Sequence, residues 1–228
     1  MLAGKGAARA ESLATAALLG LAGLLPADPH DPLTRLWADY GDLWPLPPLR
    51  ADDWARAAVR PANRPELRLR GIAVLAARSA RDGLAATLLA PVWRGDAGAL
   101  VAALEVPAAL GLKPARDTIG NTAAGTKMPP IGRGRAVEMA VNVVVPFALA
   151  LARSRGDVAL EDDAWRTVEQ LPAGEDSEPQ RAMLAILKDS GHRLRKVGAL
   201  DSQGLLSLYR THCGVHACWD CPLATGAL

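Results

Sequence analysis

At 228 residues, half of them hydrophobic and 22% charged, the chain is long enough to bury a substantial core. A net charge of only +2 with this apolar content excludes a disordered chain and a protein that grips nucleic acid with its whole surface. Six Trp, two Tyr and one Phe, set in an Ala- and Leu-rich sequence with few β-branched runs, exclude a strand-built sandwich or barrel and predict an all-α, irregular multi-helix bundle.

In chain order, the first helix is expected over residues 8–25, stopped by Pro26, with Leu13, Ala17, Leu21, Leu24 and Leu25 on one face. Lys5 and Arg9 ahead of it imitate a secretory leader. Glu11 interrupts that positive stretch and no small-residue cleavage site follows, so the segment reads as a buried helix of a cytoplasmic protein. Asp31 offers an N-cap and Pro32 a first-turn residue for a short helix reaching Tyr40. Residues 41–49 (GDLWPLPPL) form an extended connector, because prolines forbid a continuous helix there. A short helix over 52–59, a rigid turn over 60–65 and a stronger helix over 66–79 follow, the last burying Leu69, Ile72, Leu75 and Ala76. Two short helices, 83–90 and 98–106, lie either side of Pro91.

Residues 111–135 lack apolar periodicity and are rich in Gly and Pro, which predicts a long exposed loop. It carries Lys113, Arg116, Lys127, Arg133 and Arg135 against Asp117 alone. The most apolar helix is expected over 134–153, kinked by Pro146. Its apolar run, 139–152, is too short to span a bilayer and contains Asn142, so no membrane association is expected. Asn142, one turn before Pro146 on a buried helix, should bond backbone groups that the proline distorts. Helices over 160–171, 178–188 and 200–212 complete a single domain, 1–228. It comprises N-terminal helices (8–110), the basic loop (111–135), and C-terminal helices with a cysteine cluster (136–228).

All three cysteines fall in the last sixteen residues, as Cys213-x4-Cys218-x2-Cys221, with His212 and His216 beside or between them. A two-residue gap lets two thiolates converge on one metal. With His216, or His212, they make a Cys3His zinc set. The same spacing matches the first three ligands of a plant-type two-iron ferredoxin, whose fourth cysteine and strands are missing; a four-iron cluster with a non-cysteine ligand stays open. The cofactor is therefore zinc or an iron–sulfur cluster. A Cys218–Cys221 redox pair and three unliganded small hydrophobes are the competing readings.

No catalytic residue is assigned. There is no G-x-S-x-G, no H-E-x-x-H and no paired-glycine dinucleotide fingerprint. Gly120 to Lys127 falls short of a phosphate loop, because the lysine does not follow the second glycine and no strand precedes it. Ile131-Gly-Arg133-Gly-Arg135 entering a helix could hold an anion or simply be a solvated helix start. Glu161-Asp162-Asp163 begins a helix, where the dipole accounts for it.

Three segments together carry a resemblance: Arg60-Pro61-x-Asn63-x-Pro65 with Arg68, Ile131 to Arg135 leading to Glu138, Asn142 and Pro146, and Ser202-Gln203-Gly204-Leu205 through Tyr209 to the cysteines. The sequence resembles the C-terminal half of a bacterial family of unknown function, whose longer members carry an N-terminal half similar to PD-(D/E)xK nucleases. No Asp…Glu-x-Lys arrangement occurs on alternating strands here. The resemblance implies a non-catalytic helical accessory domain of a nuclease-like protein; its metal-stapled C-terminus is expected from the cysteine spacing. The domain would touch nucleic acid through Arg60, Arg64, Arg68, Lys127, Arg133 and Arg135, beside a nuclease-like domain or subunit. The alternative is a purely structural or protein-binding helical domain. A third reading is a metalloenzyme with an open coordination position.

Overall fold

The computed structural model describes residues 2–55, 63–108, 129–174, 176–192 and 196–225. Among these residues the regular structure is helical, with two isolated β-bridges, Val106–Ile131 and Pro172–Gly198, and no strand. The fold is all-α, as composition requires. The chain divides into two compact units, Met1–Thr87 with Glu105–Gly132, and Leu88–Leu104 with Arg133–Leu228.

The first unit is built on α1 (Leu2–Leu21), α2 (Pro32–Tyr40) and α3 (Pro65–Arg78). Helix α1 stops at Leu21, four residues earlier than expected, and Gly23 rather than Pro26 is the reason. Gly23 is left-handed (φ 65°), Gly23 N–H donates to Gly20 O, and Leu24 N–H donates to Leu19 O. That pair of bonds closes the helix end before the proline is reached. The connector then crosses back over it: Leu49 N–H donates to Leu21 O at 2.7 Å, and Trp54 Nε1–H donates to Ala22 O at 2.8 Å. Carbonyls that a helix end leaves without partners are thereby satisfied. Ala16, Leu19, Ala22, Leu24 and Leu33 form the core here, with Leu36, Trp54 and Leu69 packed against it.

Helix α2 starts as expected, its Asp31 side chain accepting from Leu33 N–H at 2.8 Å. Helix α3 keeps Leu75 buried and Leu69 packed on the core, as expected, but turns Ile72 and Ala76 outward. Ile72 is 44% exposed and Ala76 is exposed, while Arg70, Gly71, Ala73, Val74 and Leu75 are buried. Shape outweighs hydrophobicity at this contact: a Cβ on Gly71 would come within 2.8 Å of Ile131, so the missing side chain admits Ile131. Burial pulls the Arg70 guanidinium below its ordinary value, opposed by the nearby carboxylates of Asp31 and Glu66. Of the helix expected over 52–59, the described part is one 3₁₀ turn, Ala51–Asp53; residues 56–62 lie outside the described residues. Helix α4 (Leu84–Val92) contains Pro91, which was expected beyond its end. In a last turn proline removes a single backbone bond.

The second unit holds α5 (Ala97–Leu104), α6 (Arg133–Met139), α7 (Val145–Arg155), α8 (Val158–Gln170), α9 (Glu178–Asp189), α10 (Ala199–Leu208) and α11 (Pro222–Thr225). A π turn, Ala140–Val144, joins α6 to α7, so Arg133–Arg155 is one continuous helix of 23 residues. The disturbance expected around Pro146 takes the form of this π turn. Within the turn the bonds lengthen by one residue, Val145 N–H donating to Ala140 O. The new α segment then opens with Pro146 in its first turn, where a missing N–H costs least. By length and composition alone the 23-residue helix could cross a membrane, which the shorter apolar run 139–152 did not suggest. Part of its apolar content belongs to the core, with Ala136, Val137, Ala140, Val141, Val144, Val145, Ala148 and Ala152 buried, while Val143 and Phe147 are exposed.

Helix α7 ends on left-handed Gly156, and Asp157 caps α8, accepting from Leu160 N–H at 3.0 Å. The acidic run is engaged at the surface, Glu161 with Arg153 at 2.8 Å and Asp163 with Arg166 at 2.9 Å. Helices α7 and α8 pack together, as do α9 and α10.

Two glycines should respond to alanine in opposite directions. At Gly23 a Cβ would lie 2.2 Å from Leu49 O on a left-handed backbone, so Gly23→Ala should cost about 2 kcal/mol or more. At Gly204 in α10 a Cβ meets nothing within 4 Å, so Gly204→Ala should stabilise by about 0.5–1 kcal/mol. Urea unfolding of both variants measures the contrast.

Candidate functional site

The arginines expected on nucleic acid are distributed over both units. Arg60 and Lys127 lie outside the described residues, as do residues 111–128 of the basic loop and its approximate phosphate-loop motif. Arg64 precedes α3 and is exposed. Arg68 ties its own unit together: Nη1 donates to Pro130 O at 2.9 Å and Nη2 to Asn63 Oδ1 at 2.8 Å. The end of the loop is thus anchored, with Ile131 2% exposed and bridged to Val106. In the second unit Arg133 is exposed at the start of α6. Arg135 pairs with Glu138 at 2.6 Å, and its Nε is buried with no hydrogen-bond partner among the described residues.

The cysteine tail follows a second π turn, Tyr209–Cys213, which extends α10. Gly214 stays right-handed (φ −64°), so the chain does not reverse there. It reverses at His216, a non-glycine residue at φ 56°, an uncommon conformation. The chain returns through His216 N–H to Cys213 O at 3.2 Å and Ala217 N–H to His212 O at 2.8 Å. Cys213 and Leu223, ten residues apart, then pack on one apolar cluster of Met183, Leu187 and Leu205. Cys213 Sγ lies 3.6 Å from Met183 Sδ. Burial first, and then the charges of Cys221 and Cys218, push the Cys213 thiol above its ordinary value. Cys218 is exposed, Cys221 is buried, and none of the three forms a disulfide. His212 Nδ1 is buried without a partner among the described residues. As they stand, no three His, Cys, Asp or Glu side chains among the described residues are grouped to hold a metal ion.

A cleft of about 250 Å³ opens in the second unit, and sequence reasoning did not find it. The first wall is the long helix, through Glu138, Val141 and Asn142; the second is Gly174, Ser177 and Gln180; the third is α10, through Ala199, Ser202, Gln203 and Leu206, and then Arg210. Val141, Asn142 and Arg210 sit in the two π turns, a helix distortion found most often at functional sites. Asn142 is exposed to this cleft, which corrects its expected burial: where the helix widens, the side chain leaves the core face. It does bond backbone beside the distortion, Nδ2 donating to Glu138 O at 3.0 Å. On the far wall Ser202 Oγ donates to Gln180 Oε1 at 3.0 Å, and both residues are buried, at 4% and 5% exposure. Glu138, Asn142, Ser202 and Gln203 all belong to segments that carried the family resemblance, and the fold brings them to one place. The signal overlooked was polar: a Ser and a Gln at buried positions of α10 and α9.

Two measurements follow from this geometry. Ser202→Ala leaves Gln180 Oε1 unsatisfied and should lower stability by about 1–3 kcal/mol, read by denaturant unfolding. In metal-free protein, iodoacetamide followed by mass spectrometry should modify Cys218 first, ahead of buried Cys221 and of Cys213, whose thiolate is disfavoured.

No curated protein and no solved structure matches this chain. One family matches it over residues 5–177, a span that includes Glu138, Asn142 and Ser177 of the cleft and ends before Gln180, α10 and the cysteines. With three quarters of its length inside that match, the chain belongs to the family described as protein of unknown function (DUF2851).

Proposed function

We propose that this chain is a non-catalytic helical accessory domain whose C-terminal tail is stapled to its last helix by one metal centre. The observation that carries this reading is the return of the tail: Leu223 packs on the same cluster as Cys213, with Cys218 and Cys221 in the turn between them. Binding one ion would require the side chains on that turn to move until the three thiolates converge. The donor set suits zinc, with His216 or His212 as the fourth ligand; an iron–sulfur cluster would need its fourth ligand from another residue. The metal would supply folding energy, because thiolates that are scattered in the unfolded chain become convergent ligands in the folded one. Metal analysis and an absorption spectrum of anaerobically purified protein test this. One metal centre per chain is expected, lost in Cys218→Ser and accompanied by a lower Tm. A metal-free protein that melts at the same temperature with and without added zinc or iron would remove the reading.

For the role of the domain, contact with nucleic acid is the reading that the resemblance favours, beside a nuclease-like half. It is supported by the exposed positions of Arg64 and Arg133. A second reading, a structural or protein-binding domain, is favoured by the use of Arg68 to hold Pro130 and of Arg135 to pair with Glu138. The salt dependence of binding to duplex DNA and to RNA separates them. Phosphate contacts weaken log K linearly with log salt, and Arg64→Ala with Arg133→Ala should flatten that slope by about 2. No binding at low salt leaves the structural reading.

A further inference from the structure

We infer that Cys218 and Cys221 are a redox-active dithiol that exchanges with an external disulfide, Cys218 attacking first and Cys221 resolving. This goes beyond the metal staple and does not rest on it. The same sulfur atoms act here without an ion, and a bound ion would have to leave before they react.

The first argument is the geometry of the turn. Cys218–Asp220 is a 3₁₀ turn, and Cys221 N–H closes it by donating to Cys218 O at 3.3 Å. In a 3₁₀ turn residues i and i+3 eclipse, with a rise of about 2.0 Å per residue, so the two cysteines stand on one side with Cα atoms about 6 Å apart. A disulfide takes Cα separations of about 4.4–6.8 Å, most often near 6 Å. Both residues are thiols, so the backbone already spans the bond that the side chains have not made. The turn is also held at both ends. Asp220 N–H donates to Ala217 O at 3.3 Å, and Ala224 N–H to Cys221 O at 3.0 Å.

The second argument is access. Cys218 is exposed and Trp219 beside it is 79% exposed, so an external disulfide can approach the Cys218 sulfur. Cys221 is only 6% exposed, which shields it from the same reagent while leaving it one turn from Cys218. An open attacking sulfur with a covered neighbour fixes the order of exchange. The remaining cysteine is engaged elsewhere: Cys213 packs on Met183, Leu187 and Leu205, with its Sγ 3.6 Å from Met183 Sδ.

The chemistry balances with a disulfide R–S–S–R as oxidant. The Cys218 sulfur attacks one sulfur of that disulfide. A Cys218–S–S–R bond forms, the R–S–S–R bond breaks, and the first RS leaves with the proton from Cys218. The Cys221 sulfur then attacks the Cys218 sulfur, and the second RS leaves with the proton from Cys221. Two protein thiols are oxidised to one disulfide, and one external disulfide is reduced to two thiols.

The test uses the full chain, stripped of metal by a chelator and treated with oxidised glutathione at about 0.1 mM, tenfold below the roughly millimolar effective concentration of a thiol held nearby. Acid quenching, alkylation and mass spectrometry then locate each sulfur. Wild-type protein should carry a Cys218–Cys221 disulfide and an alkylated Cys213, with bound glutathione on no more than about a tenth of chains. Cys221→Ser should retain one glutathione on Cys218. Cys218→Ser, a change at an exposed site, should take up glutathione about tenfold or more slowly, because the covered sulfur is all that remains of the pair. If Cys221→Ser does not fold, the wild type and Cys218→Ser decide. The inference is overturned if glutathione stays on Cys218 of the wild type, if the disulfide formed includes Cys213, if no disulfide forms, or if Cys218→Ser reacts as fast as the wild type.

Discussion

The second unit turns on one missing hydrogen. Pro146 has no N–H to give, and it sits in the middle of the most apolar helix of the chain. The helix resolves this by inserting a π turn just before it, so that Pro146 falls in the first turn of a fresh α segment. The cost is one wide turn. The consequence is that Asn142, which a regular helix would direct elsewhere, emerges beside Glu138 at the mouth of a cleft. The continuous helix keeps its buried face of Ala and Val residues on both sides of the distortion. Site and core are therefore separated by a change of helical period within a single helix.

The same device ends α10. The π turn Tyr209–Cys213 that follows it presents Arg210 to the cleft and Cys213 to the apolar cluster around Met183. On the walls of that cleft, Gln180 and Ser202 form a buried polar pair joining α9 to α10. Such a pair is tolerated because each satisfies part of the other, and it specifies the register of α9 against α10 more narrowly than apolar contacts do. The tail beyond Cys213 reverses at His216 in a strained backbone conformation, with Leu223 returning to the cluster. Strain of that kind persists only where surrounding contacts over-determine it.

In the first unit the corresponding constraint is the C-terminal end of α1. Leu21 O and Ala22 O would be orphaned by the helix end, and a backbone N–H and an indole N–H carried by the connector reach back to take them. The proline-rich stretch, which forms no regular pairing of its own, is positioned by the demands of a neighbouring helix. Gly23 makes this approach possible, since any side chain there would meet Leu49 O.

Much of this was legible without coordinates. The excess of helix formers and scarcity of β-branched runs determined an all-α fold. Asp31-Pro32 determined where α2 begins, because a carboxylate acceptor and a residue without N–H suit that position and few others. What only the tertiary structure decided depends on contacts between distant residues. Helix α3 buries Gly71 and Val74 instead of Ile72 because Ile131, sixty residues away, needs the space a glycine leaves. Arg68 becomes a fastener because Pro130 O lies within its reach. Glu138, Gln180, Ser202 and Arg210 share no periodicity or motif, and become neighbours only when three helices converge and two of them change period. Local propensity decides which segments are helices; the shape and hydrogen-bonding needs of residues far apart in the chain decide which face each helix buries, and so where a site can form.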